Sequence, residues 1–215
     1  MPQVTLPPDM PPNMQKLPRD DVGRPVPFFV EYIDGKPDFR VMNSKSFRAC
    51  LAKDLCWVCG KRMQPRTQHV FVAGPMCLIN LTSAEPPSHF KCAEWSARAC
   101  PFLVNPKKVR REGNLPEEAI DPGGIMIDRN PGVTALISAR YWSPIQAGNG
   151  LIIRFRNVYQ VDWFCEGREA TRDEVAYSIG SGLLTLVRMA QEESPEAERE
   201  LSRMYVEATK WLPAA

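Results

Sequence analysis

Two pairs of potential metal ligands occur in the chain, and the members of each pair are three residues apart. Cys56 and Cys59 precede Gly60, while His89 and Cys92 lie at the start of a predicted helix. A tight Cys-x-x-Cys turn directs two sulfurs at one ion, and positions three apart on a helix lie on one face. Thiolate and imidazole are the ligands of four-coordinate structural zinc. We therefore predict one structural zinc ion bound by these four residues.

The segments between and after these pairs predict a small zinc module. Residues 69–74 and 76–83 are β-rich and separated by a Gly-Pro turn, which predicts a β-hairpin. Ser88 precedes a helical pattern that Pro101 ends. Knuckle, hairpin and helix in this order resemble a treble-clef zinc finger over about residues 55–101. Zinc with four protein ligands has no open position, so we expect it to stabilise the fold and to do no chemistry.

The other cysteines leave alternatives for the ligand set. An iron–sulfur cluster favours all-cysteine ligation and would use Cys77 or Cys100 in place of His89. Cys77 is also an alternative zinc ligand, whereas Cys92 and Cys100 are separated by about 12 Å of helical rise, too far to share one zinc ion. Buried reduced cysteines without metal are the third reading, and Cys50 is predicted to be a core residue. The roles of Cys77 and Cys100 stay open between ligand and core.

One arrangement of residues suggests catalysis. The order of His69, Asn80 and His89 resembles the HNH nuclease family. The resemblance implies that His69 activates water, Asn80 orients it and His89 helps to bind a catalytic cation. The chain departs from that pattern, because no Asp precedes His69, a second structural Cys-x-x-Cys is absent, and His89 cannot serve two metals. A metal-dependent nuclease is therefore the alternative function, and we assign no catalytic residue.

Positive charge is concentrated in the cysteine-bearing segment. Residues 44–112 hold 12 Lys or Arg and 4 Asp or Glu, whereas the rest of the chain holds 15 and 21. Such a segment suits a polyanion, since phosphates attract positive charge regardless of sequence. We predict nucleic-acid contacts at Lys61, Arg62, Arg66, Lys107, Lys108, Arg110 and Arg111. A protein partner and a solubilising surface are the alternatives, and the neighbouring aromatics for base stacking or core packing are Trp57, Phe90 and Trp95.

Outside this segment the patterns predict an α+β protein with antiparallel strands. Strands are predicted at 26–33, 38–42, 124–128, 133–142 and 151–165, and the turn at 147–150 predicts that the last two form a hairpin. Helices are predicted at 45–54 after Asn43 or Ser44, from the Thr171–Glu174 capping box to about Glu193, and from Pro195 to near Leu212. Arg154 and Arg156 share one strand face, where they extend the basic surface or pair with Asp162 or Glu166.

The N-terminal end differs in composition from the rest. Eight of the 21 prolines fall within the first 27 residues. We predict that residues 1–25 form a proline-rich extended arm, in polyproline II or disordered, and that residues 26–215 form a single α+β domain containing the zinc module. No stretch approaches the roughly 18 apolar residues of a membrane span, and no secretory signal is visible. We expect a cytoplasmic protein with no membrane partner.

Several segments taken together resemble a group of cysteine-rich proteins encoded in bacterial and phage genomes. They are PVPFFVEYIDGKPDFRV, LCWVCG, AGPMC, EPPSHFKCAEWSARACPFL and WFCEGREATRDEVAYSIGSGL, and they cover most of residues 25–190. The resemblance implies a bacterial or phage cytoplasmic protein and brings no activity with it. The functional prediction is therefore a zinc-stabilised binding protein that contacts nucleic acid through its basic zinc module, with a protein-interaction module carrying structural zinc as a further alternative.

Overall fold

The chain folds into helices and antiparallel sheets. We analysed a computed structural model that describes residues 9–64, 69–106, 115, 123–124, 130–148 and 150–214. The helices in these residues are α1 (Pro12–Gln15), α2 (Ser44–Lys53), α3 (Pro75–Asn80), α4 (Phe90–Ala99), α5 (Arg172–Glu193) and α6 (Pro195–Thr209). The strands are β1 (Val30–Ile33), β2 (Lys36–Met42), β3 (His69–Ala73), β4 (Thr82–Ser83), β5 (Thr134–Ala147), β6 (Gly150–Cys165) and β7 (Arg168–Glu169). The predicted α+β class is confirmed.

A five-stranded antiparallel sheet forms the centre of the structure. Its strand order is β3-β5-β6-β4, and β7 adds to β6. The predicted hairpin of β5 and β6 is confirmed, and β5 continues to Ala147, beyond its predicted end. A bulge interrupts the pairing between Ser138 and Ala139, opposite a β6 segment in which Asn157 has a positive φ of 54°. The predicted strand at 124–128 lies outside the described residues except for Gly124.

Both faces of this sheet are covered by helices. On one face, Phe71 stacks on Phe155 at 4.7 Å between ring centroids, within the core cluster that also includes residues of α3, α5 and α6. On the other face, Leu136 packs with Ala93 and Ala97 of α4. Because alternate side chains of a strand point to opposite faces, buried residues at every position from Thr134 to Ala139 require cover on both sides.

The predicted hairpin of residues 69–74 and 76–83 is wrong in its second half. Residues Pro75–Asn80 form helix α3, and only Thr82–Ser83 form a strand, which pairs with β6. Gly74 in an extended conformation and Pro75 at the first helical position start the helix, where the absent N–H of proline costs nothing. Leu78 and Ile79 are buried in the main core. Strand β3 pairs with β5 instead, so its partner is distant in sequence.

The predicted helix signals at Asn43 and Thr171 are confirmed. The Asn43 side chain accepts a hydrogen bond from the backbone N–H of Ser46, which caps α2. At α5 the Thr171 side chain accepts from the Glu174 N–H, and the Glu174 carboxylate accepts from the Thr171 N–H at 2.8 Å. The hydrogen bond from Arg168 lowers the pKa of Glu174 from its ordinary 4.5 to about 2. None of the helices in the described residues is both long enough and apolar enough to cross a bilayer.

Replacing the cap of α5 tests this assignment. Thr171→Ala is expected to lower the free energy of unfolding by about 1 kcal/mol, because a backbone N–H at the helix start loses its acceptor. Ser202→Ala is the control, since the Ser202 hydroxyl only donates to the Glu198 carbonyl on an exposed helix face. Urea unfolding at pH 7 measures both variants, and an equal stability for the two would contradict the role of the cap.

The charge of Glu174 makes the stability of the fold depend on pH. Because the folded pKa lies below the ordinary value, ionised Glu174 stabilises the fold above about pH 4.5, and this contribution is lost as the pH falls towards 2.

Candidate metal centre

The first ligand pair lies in a tight turn held by backbone hydrogen bonds. The Gly60 N–H donates to the Cys56 carbonyl at 2.8 Å, and the Cys56 N–H donates to the Lys61 carbonyl at 2.8 Å. Gly60 adopts a φ of +68°, and a Cβ there would lie 2.8 Å from the ring of Phe28. A side chain at this position would therefore be strained both by its backbone and by Phe28. The turn directs the Cys56 and Cys59 sulfurs to the same side.

The second ligand pair lies at the start of helix α4. His89 is the N-cap residue, with an extended backbone (φ −62°, ψ 144°) and a side chain that makes no capping bond. Its imidazole is turned towards the cysteines instead, and Cys92 follows in the first helical turn with 1% of its surface exposed. The preceding residue, Ser88, exchanges two backbone hydrogen bonds with Val70 of β3. This bridge fixes the start of the helix against the central sheet.

The structure brings all four predicted ligands together. One ligand atom from each of Cys56, Cys59, His89 and Cys92 lies within 4.8 Å of the other three. The Cys59 Sγ and His89 Nδ1 atoms are 3.4 Å apart. Bond lengths of about 2.3 Å to sulfur and 2.0–2.1 Å to nitrogen imply a sulfur–nitrogen edge of roughly 3.6 Å in a tetrahedron. The spacing therefore suits a single four-coordinate metal ion.

Hydrogen bonds shift the proton affinities within this ligand group. Burial alone would raise the pKa of Cys56, but hydrogen bonds from Cys59, Cys92 and His89 outweigh it and hold that pKa well below its usual value. The hydrogen bond between His89 and Cys56 raises the pKa of His89 to about 10. The hydrogen bond between Cys92 and Cys56 raises the pKa of Cys92 well above its usual range. The backbone N–H groups of Cys59 and His89 also donate to the Cys56 sulfur, each at 3.4 Å. The group is thus arranged around a thiolate, and a metal ion would displace the remaining protons.

A small apolar cluster surrounds the ligands and includes the N-terminal segment. Met14 of α1 is 1% exposed and packs in one cluster with the ligand cysteines, as do the buried residues Val58, Met63 and Trp95. Residues 9–25 belong to the segment for which an extended or disordered arm was predicted, and they contain this helical turn. Sequence reasoning missed Met14, because no local pattern links it to ligands more than forty residues away.

The remaining cysteines lie outside the ligand group. Cys77 is in α3, and burial raises its pKa to about 11. Cys100 ends α4, and Cys50 and Cys165 are buried in α2 and β6. All seven cysteines have free side chains, without a disulfide. The iron–sulfur alternative therefore lacks its fourth cysteine at this site.

The other residues considered for catalysis do not converge. His69 is buried on β3, and its Nε2 lies 3.1 Å from the carboxylate of Asp54. His89 belongs to the ligand group. Asn80 ends α3, and in the described part of the chain no hydrogen bond joins it to either histidine. The three residues thus have separate surroundings.

The predicted nucleic-acid residues are only partly described. Lys61 and Arg62 are exposed on the knuckle beside the ligands, whereas Arg66, Lys107, Lys108, Arg110 and Arg111 lie outside the described residues. Trp57 and Trp95 are both buried; Trp95 packs in the cluster around the ligands, whereas Trp57 stacks on Phe29 at 5.0 Å between ring centroids. Arg154 and Arg156 on β6 are exposed, and neither pairs with Asp162 or Glu166.

Comparison with known proteins identifies no relative of this chain. No protein-family model matches the chain, and no curated protein or solved structure matches it significantly. Function is therefore inferred from the site and the surface.

The packing of Met14 gives a test of the cluster. Met14→Ala is expected to lower the free energy of unfolding by about 2–5 kcal/mol, because it leaves a cavity against the ligand cysteines. Gln15→Ala is the matched control, since Gln15 is the exposed neighbour on the same helical turn. Urea unfolding should be measured at one fixed free metal concentration, because bound metal adds its own stabilisation. A loss below 0.5 kcal/mol for Met14→Ala, roughly that of a surface change, would contradict the packing.

Proposed function

We propose that the protein is a zinc-stabilised binding protein of the bacterial or phage cytoplasm, with a purely structural metal and nucleic acid as its partner. The convergence of three buried thiols and one imidazole nitrogen on a single point carries the proposal. Soft thiolate ligands select zinc over magnesium or calcium, which prefer oxygen. Four protein ligands complete a tetrahedron and leave no position for water or substrate. Seven unpaired cysteines suit a reducing compartment.

The metal content of the purified protein tests the first part. One zinc per chain is expected, and Cys92→Ser and His89→Ala should each lose it, because three ligands hold zinc far less tightly than four. Cys77→Ser is the matched control, since it removes a thiol that lies outside the ligand group. Iron in the wild-type protein, or zinc retained at full stoichiometry by His89→Ala, would refute the assignment.

The choice of nucleic acid rests on charge. Residues 44–112 carry an excess of eight positive charges, and three thiolates with one Zn²⁺ would remove only one of them. Lys61 and Arg62 are exposed on the knuckle, within a few residues of the ligands. A polyanion is the partner that such an excess favours. The nuclease alternative is less well supported, because His89 is already among the four metal ligands.

Binding of labelled DNA and RNA at increasing salt tests the second part. Affinity is expected to fall steeply with salt, and Lys61→Glu with Arg62→Glu should weaken binding, because each lost phosphate contact lowers the salt slope by roughly 0.7–0.9. Arg172→Glu with Arg188→Glu is the control of equal charge change, at two exposed positions of α5. Absence of binding to every nucleic acid tried, or cleavage with Mg²⁺ that His69→Ala abolishes, would overturn the proposal in favour of a protein partner or a nuclease.

A further inference from the structure

The outer part of the β5–β6 hairpin carries positive charge without any negative charge. Residues 139–158 contain three arginines and no Asp, Glu or Lys. The arginines are Arg140, Arg154 and Arg156, and all three are exposed. No carboxylate within the described ranges forms an ion pair with any of them. None of the three charges is neutralised by a carboxylate of the described residues.

The strand register places two of these arginines in an ordered array. Arg156 lies opposite Tyr141, and Arg154 lies opposite Ser143 on one side and Thr82 of β4 on the other. Directly paired residues of antiparallel strands have their side chains on the same face. Arg154 and Arg156 are two residues apart, so they share this face at a separation of about 6.8 Å. We call Tyr141, Ser143, Arg154, Arg156 and Thr82 the arginine face.

The arginine face rests on a rigid support. Ile153 and Phe155, the residues that alternate with its arginines on β6, are both fully buried in the main core. Tyr141 is 63% exposed, so most of its ring is open to solvent. Next to the arginine face, the Arg140 guanidinium makes a cation–π contact with Tyr159, at 5.1 Å from the ring centroid. The array is thus positioned by the sheet before any partner arrives, which lowers the entropic cost of binding.

We propose that the arginine face binds single-stranded nucleic acid, with Arg154 and Arg156 on successive phosphates and a base stacked on Tyr141. The inference rests on the proposed function and assigns its nucleic-acid class and surface. Guanidinium groups form paired hydrogen bonds with phosphate oxygens, and the Ser143 and Thr82 hydroxyls beside Arg154 can donate to the same groups. An open aromatic ring among arginines binds unpaired bases, which are available for stacking in a single strand and occupied in a duplex. An acidic protein would use the arginines and leave the ring without a partner.

Fluorescence anisotropy of the zinc-loaded protein with labelled oligothymidine and with a duplex of equal length tests this surface. Arg154→Glu with Arg156→Glu is expected to weaken oligothymidine binding at least tenfold and to lower the salt slope by roughly 1.4. Tyr141→Ala should weaken it about tenfold, and Tyr141→Phe should retain the affinity, because the ring stacks and the hydroxyl does not. Arg172→Glu with Arg188→Glu is again the control of equal charge change, and zinc content with circular dichroism confirms folding of every variant.

The possible results separate this inference from the proposed function. Tighter binding of oligothymidine than duplex, lost in the arginine and Tyr141→Ala variants, would support the arginine face. Unchanged binding in those variants, together with weaker binding in Lys61→Glu with Arg62→Glu, would overturn the face and leave the proposed function standing. Absence of binding to both probes would overturn the arginine face, and absence of binding to labelled RNA as well would overturn the proposed function with it. If polyglutamate at the same charge concentration displaces oligothymidine from the protein, the arginine face is overturned as a nucleic-acid site in favour of an acidic protein partner.

Discussion

The convergence of Cys56, Cys59, His89 and Cys92 depends on backbone hydrogen bonds that join three separate segments of chain. The Trp57 N–H donates to the carbonyl of Pro87 at 3.1 Å, which holds the knuckle beside the residues that lead into helix α4. The Phe28 N–H donates to the carbonyl of Val58 at 2.8 Å, and this bond holds the knuckle beside the N-terminal part of the chain. A metal ion bound here would crosslink these segments, and its binding free energy would contribute to folding.

Helix α4 connects this crosslink to the central sheet. Cys92 faces the ligand group, while Ala93 and Ala97 pack against Leu136 of the sheet. Neighbouring side chains of a helix point in different directions, so one ten-residue helix can place a ligand in the metal site and also pack against the sheet. Binding of a metal ion would therefore couple the ligand group to the sheet, because it would hold the first turn of a helix whose later turns cover the sheet.

Local patterns in the sequence predicted the parts of the structure that short-range chemistry determines. The ligand pairs, the caps at Asn43 and Thr171 and the long β5–β6 hairpin each arise from residues close together in sequence. The errors concern tertiary contacts. Residues 76–80 have a strand-like composition, but Gly74 and Pro75 start a helix there and the core buries its apolar face. The position of Met14 beside the ligands required the folded chain, since nothing near it in sequence indicates a metal site.

Two sets of arginines in the described residues have different physical roles. On α6, Arg199 and Arg203 each pair with a glutamate three residues earlier, and such exposed pairs stabilise a helix by only a few tenths of a kcal/mol. On the β5–β6 hairpin, Arg154 and Arg156 have no acidic neighbour in residues 139–158. Unpaired like charges on one strand face repel each other, so they do not stabilise the folded chain. Under the proposed function, the negative charge opposite this exposed surface would come from the nucleic-acid partner.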